Sequence, residues 1–246
     1  MTDATSRPRP VALVTGAAHR VGRALAVGLA GDGYDIALHY HASASKVEAA
    51  VEAIAAAGGA STLFQADLTS PVAPGQLVRD VVESLGRLDV VVNSASVMIR
   101  MPVGDVTAED WDSVMNLNLR APFLIAQEAA RHLPDGASII NIADLAAFET
   151  WPVYVPHGVS KSGIVYLTRA LARVLAPRIR VNAIAPGTIL LPENFDPAMA
   201  AHLTATTPLG RDGSPEDAVQ AMLYLLKATY VTGETIIVDG GRHVRY

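Results

Sequence analysis

The feature that most constrains this chain is a rhythm. Short apolar runs, "VALVTG", "YDIALHY", "STLFQADL", "LDVVVNSAS", "ASIINIAD", "IRVNAIAPG" and "ETIIVDGG", are separated for most of the chain by longer, alanine-rich amphipathic stretches. Apolar runs without polar alternation bury both faces of a strand, as in a parallel sheet covered on two sides. Helices are predicted over 21–31, 45–57, 109–133, 155–175 and 215–227. The βα order implies a single α/β domain, doubly wound and Rossmann-like, with helices flanking the sheet. No boundary interrupts it, and 246 residues suit one such unit. The least regular stretch, 189–208, follows a strand end, where it either covers a substrate or forms a plain surface loop.

Composition narrows the function. Half the residues are hydrophobic and 17% are charged, which excludes a disordered chain and suggests apolar surface shared between subunits. A net charge of −5 without a basic stripe argues against nucleic acid. The absence of cysteine excludes disulfides, thiolate catalysis and Cys-ligated metals. No apolar run approaches the roughly 20 residues that cross a bilayer. The polar, proline-bearing start lacks the apolar core of a signal peptide, so 1–9 is read as a flexible tail and the protein as cytoplasmic. His39 and His41 share one side of a strand, but no third ligand stands nearby and no metal is expected.

"VTGAAHRVGRALA" leaves the first strand and opens the first helix. Gly16 permits a tight turn, Gly22 allows close approach, and the helix N-terminus offers free N–H groups to a pyrophosphate. Arg20 can reach such a phosphate or an anionic substrate edge, or it is a solvated helix-end arginine. The second strand ends "LHYHASASK", with no carboxylate to hold an NAD ribose. His39, His41, Ser43 and Lys46 can accept a 2′-phosphate instead, so NADP(H) is preferred. Asp67 can bond an adenine amino group or cap a turn. Trp151 either packs inside the protein or, lying between Asp144 and His157, gives the substrate site an aromatic wall for a flat heterocycle.

These residues resemble the short-chain dehydrogenase/reductase family across essentially the whole chain. The resemblance rests on "TGAAHRVG", "NSAS" (93–96), "NLNLRAPF" (116–123), the helix bearing Lys161, "IRVNAIAPG" and "VTGETIIVDGG" (231–241). Arg20, "HYHAS" and Asp144 in "NIAD" look most like the pteridine reductase branch. Three positions depart from the pattern: Ala42 where that branch carries arginine, Ser94 for asparagine, and His157 for the tyrosine of Tyr-x-x-x-Lys.

The resemblance implies a homotetramer that moves hydride between a nicotinamide and a C=O or C=N group of a small planar substrate. It implies that Lys161 orients ribose, Asn118 holds a proton relay, and Asp144 bonds substrate or donates a proton. Val21, Ala42, Leu68, Asn93, Ser94 and Ala95, with Pro186, Gly187 and Thr188, would lie along the cofactor. Ser96, Trp151, Tyr154 and Leu191 would face the substrate. Three readings of His157 stay open: proton donor, positioner for donation by Asp144 or Tyr154, or the mark of a cofactor-binding protein with little or no catalysis.

Overall fold

The apolar runs become one parallel sheet. Its strands are β1 (Val11–Val14), β2 (Asp35–Tyr40), β3 (Ser61–Gln65), β4 (Val90–Asn93), β5 (Ala137–Ile142), β6 (Ile179–Pro186) and β7 (Thr235–Val238). Their order is β3-β2-β1-β4-β5-β6-β7. The computed structural model describes residues 9–42, 44–191 and 195–244. Ser43, predicted to meet a phosphate, lies outside the described residues, as do 1–8 of the expected tail and 192–194 of the irregular segment. Arg9, also assigned to that tail, is anchored: it donates to the Ala30 carbonyl and pairs with Asp35 at 3.1 Å.

Alternate residues of β1 serve opposite faces. Ala12 and Val14 pack with Leu25 and Leu29 of α1 (Arg20–Gly31), Ile54 of α2 (Ala44–Ala56), and Val219 and Met222 of α8 (Pro215–Lys227). Val11 and Leu13 pack with Leu77 and Val81 of α3 (Ala73–Leu85) and Ile125 of α5 (Ala121–Ala129). The remaining long helices are α4 (Ala108–Met115), α6 (Val155–Leu175) and α7 (Pro197–Ala205). Among the described residues, no helix is long and apolar enough to cross a membrane.

Three elements differ from the sequence reading. Helix α3 was not anticipated, because Pro74 and Gly75 open it; proline is tolerated in a first turn, and Leu77, Val78 and Val81 then bury one face. The helix predicted over 109–133 is broken by a π-turn, Asn116–Arg120. The irregular segment contains α7, N-capped by Asp196. Predicted helix 155–175 matches α6, and Ser214 caps α8 through a reciprocal bond with Asp217.

Strand β1 pairs with β2 on one side and β4 on the other. The winding direction reverses there, which opens a crevice beyond the carboxyl ends of the strands. The sequence-nominated residues discussed below end or follow a strand, or lie on the first turns of α1 and α2, on α6 or on the π-turn.

Candidate active site

The glycine turn is shaped by contacts that tolerate no side chain. Gly16 has φ +67°, and a Cβ on it would lie 3.0 Å from the Cα of Ala95. A Cβ on Gly22 would lie 2.2 Å from the Gly16 carbonyl oxygen. Arg20 stands in the left-handed region at φ +53°, which explains why glycine suits this position. Its guanidinium donates to the Leu190 carbonyl at 2.6 Å, tying the turn to the segment after β6.

Helix α1 begins after His19 with no side-chain cap and no acidic residue in its first turn. Its N–H groups therefore meet no competing carboxylate from the helix's own first turn. Burial and the nearby charges of Lys46, Arg20 and Arg23 hold the His19 imidazole below its ordinary value. This cationic cluster at a helix N-terminus fits a pyrophosphate and an extra phosphate. His19 and Arg23 were missed by sequence reading. Histidine and arginine flanking the glycine turn were the available signal.

His39 corrects an expectation. It is buried, and both ring nitrogens are used inside the protein. Nδ1 accepts from Gly16 N–H at 3.1 Å, and Nε2 donates to the Ala66 carbonyl at 3.1 Å. Burial drives its pKa to about 4, so the ring is neutral at ordinary pH. It shapes the phosphate turn and has no atom left for a 2′-phosphate. His41, Ala42 and Lys46 are exposed at the end of β2 and the start of α2.

Other nominated cofactor residues divide in the same way. Asp67 accepts from the backbone N–H and hydroxyl of Thr69, which makes it a turn cap. The Leu68 side chain belongs to the core, and Val21 packs at the core's edge. Asn93 turns its amide inward to Asn141, 2.9 Å away. The N–H groups of Ser94 and Ala95 both donate to Thr15 Oγ1 at 3.0 Å, so Thr15, which was not nominated, joins the ends of β1 and β4. Pro186 ends β6, and Gly187 bonds the Val238 carbonyl. A Cβ on Gly187 would meet Asp239 at 2.7 Å. The Thr188 carbonyl accepts from Gly213.

The π-turn brings Asn118 into a cluster with Ser96, Val97, His157 and Ser160. Val97 N–H donates to Asn118 Oδ1 at 2.9 Å, which fixes the amide's orientation. Ser96 Oγ also donates to Oδ1. Asn118 Nδ2 donates to the Val97 carbonyl and to Ser160 Oγ. Ser160 Oγ in turn donates to the His157 carbonyl.

His157 and Lys161 lie one turn apart on α6, and both are buried at 3% and 4% exposure. Lys161 Nζ donates to the Ile142 carbonyl at 2.8 Å. Burial drives its pKa to about 8, with the Asp144 carboxylate pulling the other way. His157 Nδ1 lies 3.2 Å from the Val97 carbonyl, and Nε2 lies 3.6 Å from Asp144 Oδ2. Asp144 Oδ1 accepts from Ala146 N–H. Tyr154 stands just before α6 without a side-chain bond that caps it, and its ring stands edge-on to Trp151 with centroids 6.1 Å apart. Trp151 Nε1 donates to Glu149. Leu191, half-buried, follows the carbonyl that Arg20 holds.

The crevice thus joins a phosphate-suited helix end to a buried ammonium, an amide network and a histidine–carboxylate pair. Comparison with known proteins gives this arrangement relatives. The sequence profile described as enoyl-(acyl carrier protein) reductase matches residues 16–243. An uncharacterized oxidoreductase of Methylorubrum extorquens is 37% identical, over 94% of this chain and 96% of that protein. The 3-oxoacyl-[acyl-carrier-protein] reductase FabG of Staphylococcus aureus is 34% identical, over 95% and 98%. The crystal structure of the angucycline C-6 ketoreductase LanV with bound NADP superposes with a TM-score of 0.90 at 32% identity, covering 96% of each chain.

Proposed function

Because the chain belongs to the short-chain dehydrogenase/reductase family, we propose that it is an NADP(H)-dependent reductase acting on a C=O or C=N group of a small planar, pteridine-like substrate. The observation that carries this reading is the buried Lys161 ammonium beside Asp144, aligned with the Asn118 network and the glycine turn. A buried cation without a counter-ion in hydrogen-bond contact is costly, and function is the usual reason to keep one.

The chain's own residues divide the work. Helix α1, with Arg20, Arg23 and Lys46 near its start, holds the phosphates, and the absence of a carboxylate at the end of β2 favours the 2′-phosphate form. Lys161 orients the ribose. Asn118 and Ser160 hold the floor of the site. When bound, reduced nicotinamide supplies the hydride. The Trp151–Tyr154 pair, just before the helix that bears His157, supports a flat substrate. We also propose that the protein is a homotetramer located in the cytoplasm.

A second reading, cofactor binding with little turnover, is favoured by one observation: His157 Nε2 is shut off from solvent and has no hydrogen-bond partner among the described residues. NADPH oxidation with dihydropterins, ketones and imines from about pH 5 to about pH 8, beside titrations of NADPH and NADH, separates the two. The reductase reading expects turnover and tighter binding of NADPH. Tight binding without oxidation of any substrate would favour the second, and failure to bind either cofactor would sink both.

A further inference from the structure

The crevice lies beyond the carboxyl ends of the strands, and another cavity, of about 260 Å³, lies at their amino ends. The register sets Val90 of β4, Ser138 of β5 and Arg180 of β6 side by side. They share the sheet face that α1 and α8 cover, the face to which Ile140 and Ile184 also point. Pro10 and Tyr34, which immediately precede β1 and β2, line the same space. Ser138 is 2% exposed, and its Oγ has no hydrogen-bond partner among the described residues. An unpaired buried hydroxyl is costly, and this one belongs to a residue that borders open space.

The charges on the walls are already committed within the protein. Both oxygens of Asp89 accept from Arg87, and Oδ2 also accepts from Val11 N–H. The Arg180 guanidinium donates to the carbonyls of Leu225, Leu226, Ala228 and Val231, which closes the C-terminal end of α8. An anion would face Asp89 and the exposed Asp135, and a cation would face Arg180, so either charge is opposed by one wall. Hydroxyl groups remain to bond a ligand. Burial, with the Asp32 and Asp89 carboxylates, raises the Tyr34 pKa above its ordinary 10.0, so the phenol keeps its proton. Pro10, Pro134 and Leu226 add apolar surface around these groups.

Hydroxyls set among apolar rings suit a molecule with hydroxyls at its edges and C–H groups on its faces. We propose that this cavity is a binding site for a small neutral polyol, of the sugar or sugar-alcohol class, held by the Ser138 and Tyr34 hydroxyls. The volume fixes the size of the ligand, since it falls below the roughly 300–1,000 Å³ of pockets for drug-sized molecules. The site stands apart from the reductase reading. Strand β5 carries Ser138 near its amino end, and Ile142, whose carbonyl holds Lys161, at its carboxyl end. A polyol that bridges Ser138 to Tyr34 ties β5 to the start of β2 and stabilises the folded chain by mass action.

Saturation-transfer NMR on the full chain reads binding without turnover. The neutral probes are glucose, sorbitol and myo-inositol, and the charged ones are gluconate and glucosamine. At least one neutral probe is expected to bind with a millimolar Kd, more tightly than either charged one. Ser138→Ala should weaken that binding about fivefold or more, the scale of one lost hydrogen bond, and Tyr34→Phe should do the same. Thermal melting without ligand shows that the variants fold, and Ser138→Ala should melt no lower than wild type because it removes an unpaired hydroxyl. Saturating NADPH should leave polyol binding unchanged. No signal from any neutral probe, binding that both variants leave intact, or tighter binding of a charged probe would overturn the proposal. Displacement of the polyol by NADPH would place it in the crevice and overturn the site as well. Should NADPH itself fail to bind, the reductase reading falls, while the two variants still decide this site.

Discussion

Lys161 shows how a single buried charge couples function to stability. Its ordinary value is 10.5, and burial lowers it to about 8 in the folded chain. Between these values the unfolded chain binds more protons, so this residue makes stability rise with pH across that window. Below about 8 its cost is present in full, on the order of 3 kcal/mol. Lys161→Met should therefore be more stable than wild type near pH 7, with the gap closing by about pH 10. Chemical denaturation at both values checks this, and a gap that does not change with pH would show that the ammonium is not strained by burial. The same variant should lose turnover. At this scale the sequence was informative where a residue type is unusual in its context. Lys161, Asn118, Asp144 and His157 were nominated and are brought together. His39 was nominated for the wrong partner, because a strand-end histidine carries no mark of which way its ring faces. Thr15 went unnoticed because a hydroxyl that accepts two N–H groups looks in sequence like any threonine.

Among the elements, close approach leaves the clearest trace. Gly28 sits inside α1, where alanine would favour the helix by roughly 0.5–1 kcal/mol. A Cβ there would come within 2.4 Å of Val219 Cγ1 on α8. Gly28→Ala should thus destabilise the protein by about 1–3 kcal/mol despite its better helix propensity. A rise in thermal midpoint would mean that α1 and α8 can separate at little cost. The strands and most helices were legible because their apolar periods differ. The π-turn was not legible. Its sequence, "NLNLR", is compatible with an ordinary helix, and the altered winding shows only in the backbone bond from Ala121 N–H to the Asn116 carbonyl, five residues back.

The whole molecule presents more apolar surface than a lone domain needs. Met115, Leu119, Phe123, Tyr166 and Leu167 line a groove of about 430 Å³ between the π-turn region and α6, and Tyr166 is 75% exposed. Such a patch favours association with another copy. Light scattering should give an oligomer for the wild type and a smaller species for Phe123→Lys combined with Tyr166→Lys. A monomeric wild type would remove the tetramer proposal.

The all-parallel sheet also has a consequence in time. No two neighbouring strands can meet through a tight hairpin, since every pairing needs a crossover. Strand β1, near the start of the chain, must wait for β4, some 78 residues later by the Ala12–Val90 partners, before its second edge is covered. Strand β7 docks on β6 only after most of the chain has been made. Contacts this distant in sequence place the protein among slow folders. During synthesis it would spend its most vulnerable interval with open β edges, which makes high yield in a cell depend on chaperones or a slow rate of expression.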